Sequence, residues 1–264
     1  MLKMPSILRI TSFFFAALFI CSAQGSEFIS IDDSRFSEPL TFRISLPESY
    51  NKKTDKRYTL LFDFHYYGHT YLNGMHDWLS HNGEWPWPET IIVTPVRGNP
   101  VGQLFDSSGE QTPLIDFFAE SLLPRIDKQY RTNGYRIMSG FRVNATLVLS
   151  AMLSKPTLFD AYFAASPELK DDYAKIMSTL ERKGVPEQMA GRYLLYSHGS
   201  SVKEQHQLQE YRQLHRLLQR TSDIAMKYDY RDFSEHEFMT LPLFTLLTGI
   251  ERLYELNHSQ GTKE

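Results

Sequence analysis

Gly140-Phe141-Arg142-Val143-Asn144 lies between a short strand-like run, Arg136 to Ser139, and an apolar helix-like run, Ala145 to Leu153. A strand, a tight turn and a helix in that order form the setting in which G-x-S-x-G exposes a nucleophilic serine, because small flanking residues let the backbone hold a sharp bend. Gly140 is kept, Asn144 replaces the second glycine, and Arg142 takes the place of the serine. Asparagine tolerates positive φ better than most residues, so the bend is expected to survive. A guanidinium stays protonated and offers only donors, so Arg142 is a fork for an anion and not a nucleophile. Loss of the nucleophile costs subtilisin roughly 10⁶-fold in kcat, which argues against serine-type ester hydrolysis here.

Other residues invite chemistry and receive plainer readings. His65, His69, His76 and His81 make a histidine-rich stretch, yet no pair has the companion glutamate of a zinc protease helix, and three of the four fall in expected loop. No metal and no cofactor is expected. Trp78, Trp85 and Trp87, with Pro86 and Pro88, could form an aromatic rim, but packing within a long loop is the favoured reading. Ser139, Ser166 and Ser200 are the candidate replacement nucleophiles, with a water activated by a histidine and a carboxylate as a further route.

These groups need a scaffold, and the chain supplies an alternation. Residues 30–46 read as an antiparallel pair broken by Pro39; 58–64 and 90–96 are compact runs suited to buried strands. Residues 114–129 place Leu114, Phe117, Phe118, Leu122 and Ile126 on one side of a helix, with Pro124 bending it. Strands at 161–165, 192–197 and 224–230 alternate with helices at 169–183, 203–220 and 241–256. That order predicts an α/β fold with a mainly parallel central sheet, helices on both faces and an antiparallel N-terminal edge.

Five further pieces stand in a fixed order around the turn: Leu46-Pro47-Glu48-Ser49-Tyr50, the run from Leu122 to Thr132, the region from Arg136 to Leu153, Pro156-Thr157-Leu158-Phe159-Asp160-Ala161-Tyr162, and Ala165-Ser166-Pro167. On these, the chain from Leu46 to Tyr254 resembles the esterase family of α/β hydrolases that includes enterochelin-esterase-like and esterase D-like proteins. The resemblance implies the α/β-hydrolase fold and a Ser, acid, His order of catalytic groups. His236, in Phe233-Ser234-Glu235-His236-Glu237-Phe238, matches the base position. The acid has no match: Ser197-His198-Gly199-Ser200-Ser201 carries no carboxylate, and Glu204 is expected inside the following helix. His65-Tyr66-Tyr67-Gly68 stands at the oxyanion loop, with Tyr66 where the family has glycine. A pocket lined by His65, Tyr66, Tyr67, Phe141, Arg142, Val143 and His236 would take a small anionic or ester ligand. Alternatively, Arg142 pairs with Glu235 or Glu237, the pocket is filled, and a protein partner binds elsewhere. The third reading is an active ester hydrolase with a non-standard nucleophile and His236 as base.

The amino terminus bears on location. Lys3 and Arg9 precede an apolar run from Ile10 to Ile20 and small residues Cys21, Ser22 and Ala23, the pattern of a signal peptide cleaved after Ala23. The run is short for a membrane span. Residues 1–23 are read as the leader and 24–264 as one domain, exported to the periplasm or secreted, with no stable membrane insertion after cleavage. Cys21 is the one cysteine, so the mature chain would hold no disulfide or cysteine metal site. The full chain carries a net charge of −3 and its leader holds two basic residues and no acid, so nucleic acid is not an expected partner.

Overall fold

The computed structural model describes residues 26–81, 87–96, 104–105, 113–220 and 224–261, with side chains to residue 255. The expected signal peptide, Trp85 and Pro86 lie outside the described residues. Eight strands form one sheet: β1 (Ser26–Ile31), β2 (Leu40–Ser45), β3 (Tyr58–Asp63), β4 (Thr90–Pro95), β5 (Thr132–Phe141), β6 (Ala161–Ala165), β7 (Tyr193–His198) and β8 (Lys227–Asp232), in the order β1-β2-β4-β3-β5-β6-β7-β8. β1 and β2 run antiparallel to each other and β2 antiparallel to β4, while every pairing from β4 to β8 is parallel. The expected antiparallel edge and parallel centre are therefore both present.

Side chains alternate across this sheet with the two-residue period of a strand. Leu60 and Phe62 of β3, Ile91 and Val93 of β4, and Tyr162 and Ala164 of β6 face the larger core, where Phe62 meets Phe118 edge-on at 4.8 Å. Leu61, Ile92, Ala161 and Phe163 face the other side. The larger core is covered by four helices: α2 over residues 114–129, α3 (Val143–Ser154), α4 (Ile176–Lys183) and α5 (Leu208–Gln219). The smaller is covered by α1 (Gly68–His81) and α6 (Leu241–Gly261), whose Leu72, Leu246, Ile250 and Leu253 pack there. Each such aliphatic or aromatic side chain contributes about 1.5–3 kcal/mol on leaving water.

α1 corrects the sequence reading, which left its histidines in a loop. His69, His76 and His81 all lie on this helix. Its composition of Gly, Asn and His hides the period, and its buried side is carried by Leu72 and by His76, a residue that does not look apolar. His76 packs edge-on against Trp87 at 5.3 Å and its Nε2 accepts the Thr90 N–H at 2.9 Å, while burial pushes its pKa down to about 4. The tryptophans separate: Trp87 is core, whereas Trp78 is exposed on α1. α2 is one helix whose middle, Phe118–Leu122, widens into a π turn just ahead of Pro124. A proline lacks the N–H that the α register needs, and the wider turn absorbs that defect.

Residues 169–175 are not the helical stretch expected. Asp171, Asp172, Ala174 and Lys175 all have φ between 54 and 57°, and α4 begins only after them. No helix among the described residues is long and apolar enough to cross a membrane.

Candidate active site

The turn between β5 and α3 is a nucleophile elbow in geometry. Arg142 has φ 55° and ψ −122°, a region that costs a non-glycine residue about 1–3 kcal/mol and persists where surrounding bonds enforce it. Here the Arg142 N–H donates to Ala165 O at 3.0 Å and the Thr146 N–H donates to Arg142 O at 3.0 Å. A methyl group at Gly140 would lie 2.4 Å from the Asn144 carbonyl oxygen, so glycine is required there. Asn144 falls in the first turn of α3 and its φ is not positive, so the tolerance expected of it is not used. The strain sits on Arg142 alone.

The Arg142 side chain is half exposed, and its Nη2 donates to Glu168 Oε2 at 3.0 Å. Glu168, not Glu235 or Glu237, is thus its carboxylate. The sequence gives one clue, since Glu168 closes the Ser166-Pro167-Glu168 corner after β6, but nothing local says that β6 ends beside the elbow. That corner is clamped: Thr146 Oγ1 donates to Glu168 O at 2.8 Å, and the Leu169 N–H donates to Gln207 Oε1 at 2.8 Å. His206 Nε2 stands 3.7 Å from the second oxygen, Glu168 Oε1. On another side the guanidinium lies over the ring of Phe238, 5.6 Å from its centroid, and Phe238 packs against Phe141 at 4.8 Å. Arg142, Phe141 and the loop that carries His236 are therefore brought together.

His236 itself is engaged elsewhere. Its ring stacks on Phe244 of α6 at 3.9 Å with 25° between planes, and its Nε2 is 3.5 Å from Glu235 Oε1. Among the described residues no hydrogen bond or ring contact joins it to Arg142 or to Glu204. Glu204 precedes α5 in a turn, which corrects its expected place in the helix. Its buried carboxylate accepts from Ser166 Oγ at 2.5 Å, Gly199 N at 2.7 Å, and Ser201 N and Oγ at 3.1 and 2.9 Å. It ties the loop after β7 to the end of β6 and acts as a structural acid.

The remaining expected residues separate into groups. Tyr67 meets Tyr66 edge-on at 4.8 Å and the tilted His65 ring at 5.9 Å; both tyrosines are exposed. Val143 is partly buried and packs against the larger core. Ser139 is buried and donates to Asp63 Oδ2 at 2.6 Å; Ser166 is buried and donates to Glu204. Two of the three candidate replacement nucleophiles are thus inaccessible and already bonded, leaving Ser200, which is half-buried. Asp63 is a buried acid that the sequence reading passed over. Burial raises its pKa to about 7 against the opposing hydrogen bonds of Ser139 and Tyr71. Among the described residues no group of three or more metal-capable side chains gathers.

Solved structures of similar shape include hydrolases and esterases. An IroE-like serine hydrolase from Shewanella oneidensis superposes with a TM-score of 0.71 at 18% identity over 88% of this chain and 80% of its own. The siderophore hydrolase EstA from Aspergillus nidulans gives 0.68 at 16% identity over 93% and 99%. This chain has the fold of the enterochelin-esterase-like α/β hydrolases. An enterochelin esterase from Shigella flexneri extends the same comparison, with a TM-score of 0.70 at 12% identity over 88% of this chain and 59% of that one. No protein-family model matches the sequence, and no curated protein matches it. Within the enterochelin-esterase-like fold, Arg142 occupies the strand-to-helix elbow that closes β5.

Proposed function

We propose that this chain is an exported descendant of the enterochelin-esterase-like hydrolases that has given up serine-based ester hydrolysis and binds a small anionic ligand at Arg142. The observation that carries the reading is Arg142 at the elbow, in its strained conformation, with a half-exposed guanidinium held by Glu168. A guanidinium has five N–H donors, and among the described residues one side-chain hydrogen bond engages them, so a ligand carboxylate finds donors beside Phe141 and Phe238. His236 stacked on Phe244, and Glu204 spent on the loop after β7, support the loss of a relay. The leader at residues 1–23 would deliver the protein to the periplasm or outside the cell.

The test has two parts. Hydrolysis of p-nitrophenyl acetate by the mature protein and by His236→Ala is expected to match the uncatalysed background in both. Turnover that disappears in the variant would replace this reading with that of an ester hydrolase using His236 as base. Calorimetric titration with benzoate, an aromatic carboxylate, is expected to show binding that Arg142→Gln abolishes.

A further inference from the structure

A cavity of about 240 Å³ opens between α3 and α4, lined by Ser150, Ser154, Lys175, Thr179 and Lys183 together with Leu153, Ala174 and Ile176. It lies toward the far end of α3 from Arg142, a helix roughly 18 Å long at 1.5 Å per residue. From the convergence of two lysines and three hydroxyl residues on this cavity, we propose that it is a second ligand site, one that binds a phosphate group.

Three observations support it. Ser150 is 1% exposed, and its Oγ has no hydrogen-bond partner. A buried hydroxyl without a partner is destabilising, a penalty that a bond to an oxyanion would remove. Neither Lys175 nor Lys183 forms an ion pair with a described carboxylate, although Arg142, Arg136 and Lys155 nearby in the chain each do. Finally, the wall that presents Lys175 is strained. Ala174 and Lys175 both adopt left-handed φ, 57° and 55°, a sparsely populated region for non-glycine residues that costs free energy unless the surroundings enforce it.

The amino-terminal amides of α4 are not the receptor. Asp172 Oδ1 already accepts the Met177 and Ser178 N–H groups at 3.0 and 3.2 Å. Recognition falls to the ammonium groups and hydroxyls, which suit a compact tetrahedral dianion with several acceptor oxygens.

Calorimetric titration of the full mature protein with inorganic phosphate and, in a second arm, with glycerol 3-phosphate tests the proposal at fixed ionic strength. Binding is expected in at least one arm. Tighter binding of the ester identifies a phosphorylated metabolite as the source of the group, and tighter binding of inorganic phosphate identifies the free ion. Lys175→Gln and Lys183→Gln, both at exposed positions, are each expected to weaken binding roughly tenfold, the loss of one charge-assisted hydrogen bond. Ser150→Ala, checked for folding by circular dichroism, should also weaken it. The proposal is overturned if neither ligand binds, or if the lysine variants bind as the parent does. Arg142→Gln should leave this binding intact, which separates its failure from that of the elbow reading.

Discussion

Arg142 donates to Glu168 across the gap between the β5 elbow and the corner after β6, at 3.0 Å, from a backbone conformation that few side chains tolerate. The pair is half exposed, and such pairs contribute about 0–1 kcal/mol, less than the strain itself. The elbow geometry is therefore imposed by the fold around it and not by the arginine.

Comparing Arg142→Gly with Arg142→Ala isolates that strain, since both remove the ion pair. Glycine usually destabilises relative to alanine, but at φ 55° the order should invert, with the glycine variant more stable by about 1 kcal/mol. Urea midpoints of the two variants decide it, and an alanine variant at least as stable would remove the argument for strain.

Asp63 should give the protein a pH dependence of a particular sign. Its folded pKa of about 7 exceeds the unfolded value of about 3.9, so the folded state holds the extra proton between those values. Its contribution is fully present below pH 4, falls as pH rises through the window from about 4 to 7, and is lost above it, by up to about 4 kcal/mol. Asp63→Asn keeps the shape and cannot ionise. Subtracting its stability profile from that of the parent should reveal this slope, and parallel profiles would show that Asp63 does not titrate in that range.

Two glycines should resist substitution for steric reasons. Gly140→Ala drives a methyl group against backbone at 2.4 Å and should cost roughly 3 kcal/mol; Gly249→Ala meets the buried Phe163 ring at 2.6 Å and should cost about 1–3 kcal/mol. Gly74→Ala, on α1, meets nothing within 4 Å and should be neutral or slightly stabilising in the same denaturation series.

The two acids near the expected relay should behave oppositely. Glu204→Ala strands the buried Ser166 hydroxyl and the Gly199 N–H, each worth about 1–3 kcal/mol, so the melting temperature should fall by many degrees. Glu235→Ala removes one exposed carboxylate 3.5 Å from His236 and should change stability by less than about 1 kcal/mol. Thermal denaturation of the two variants side by side checks both, and a small effect at Glu204 would return it to the list of free acids.

What the sequence determined by itself was the local and the periodic. The elbow at Gly140 to Asn144 was legible because a sharp bend constrains residue size within five positions. The strands and most helices were legible because one face of each must be apolar at a fixed period. Helix α1 was not, because His76 fills a core position that its chemistry disguises. Tertiary structure alone decided the partners. Glu168 reaches Arg142 because β6 lies beside β5, Glu204 serves Ser166 because β7 lies beside β6, and His236 turns to Phe244 because α6 folds back over the sheet. Charge pairs and ring stacks form between residues far apart in the chain, and no spacing along one strand of sequence encodes which ends of which elements will meet.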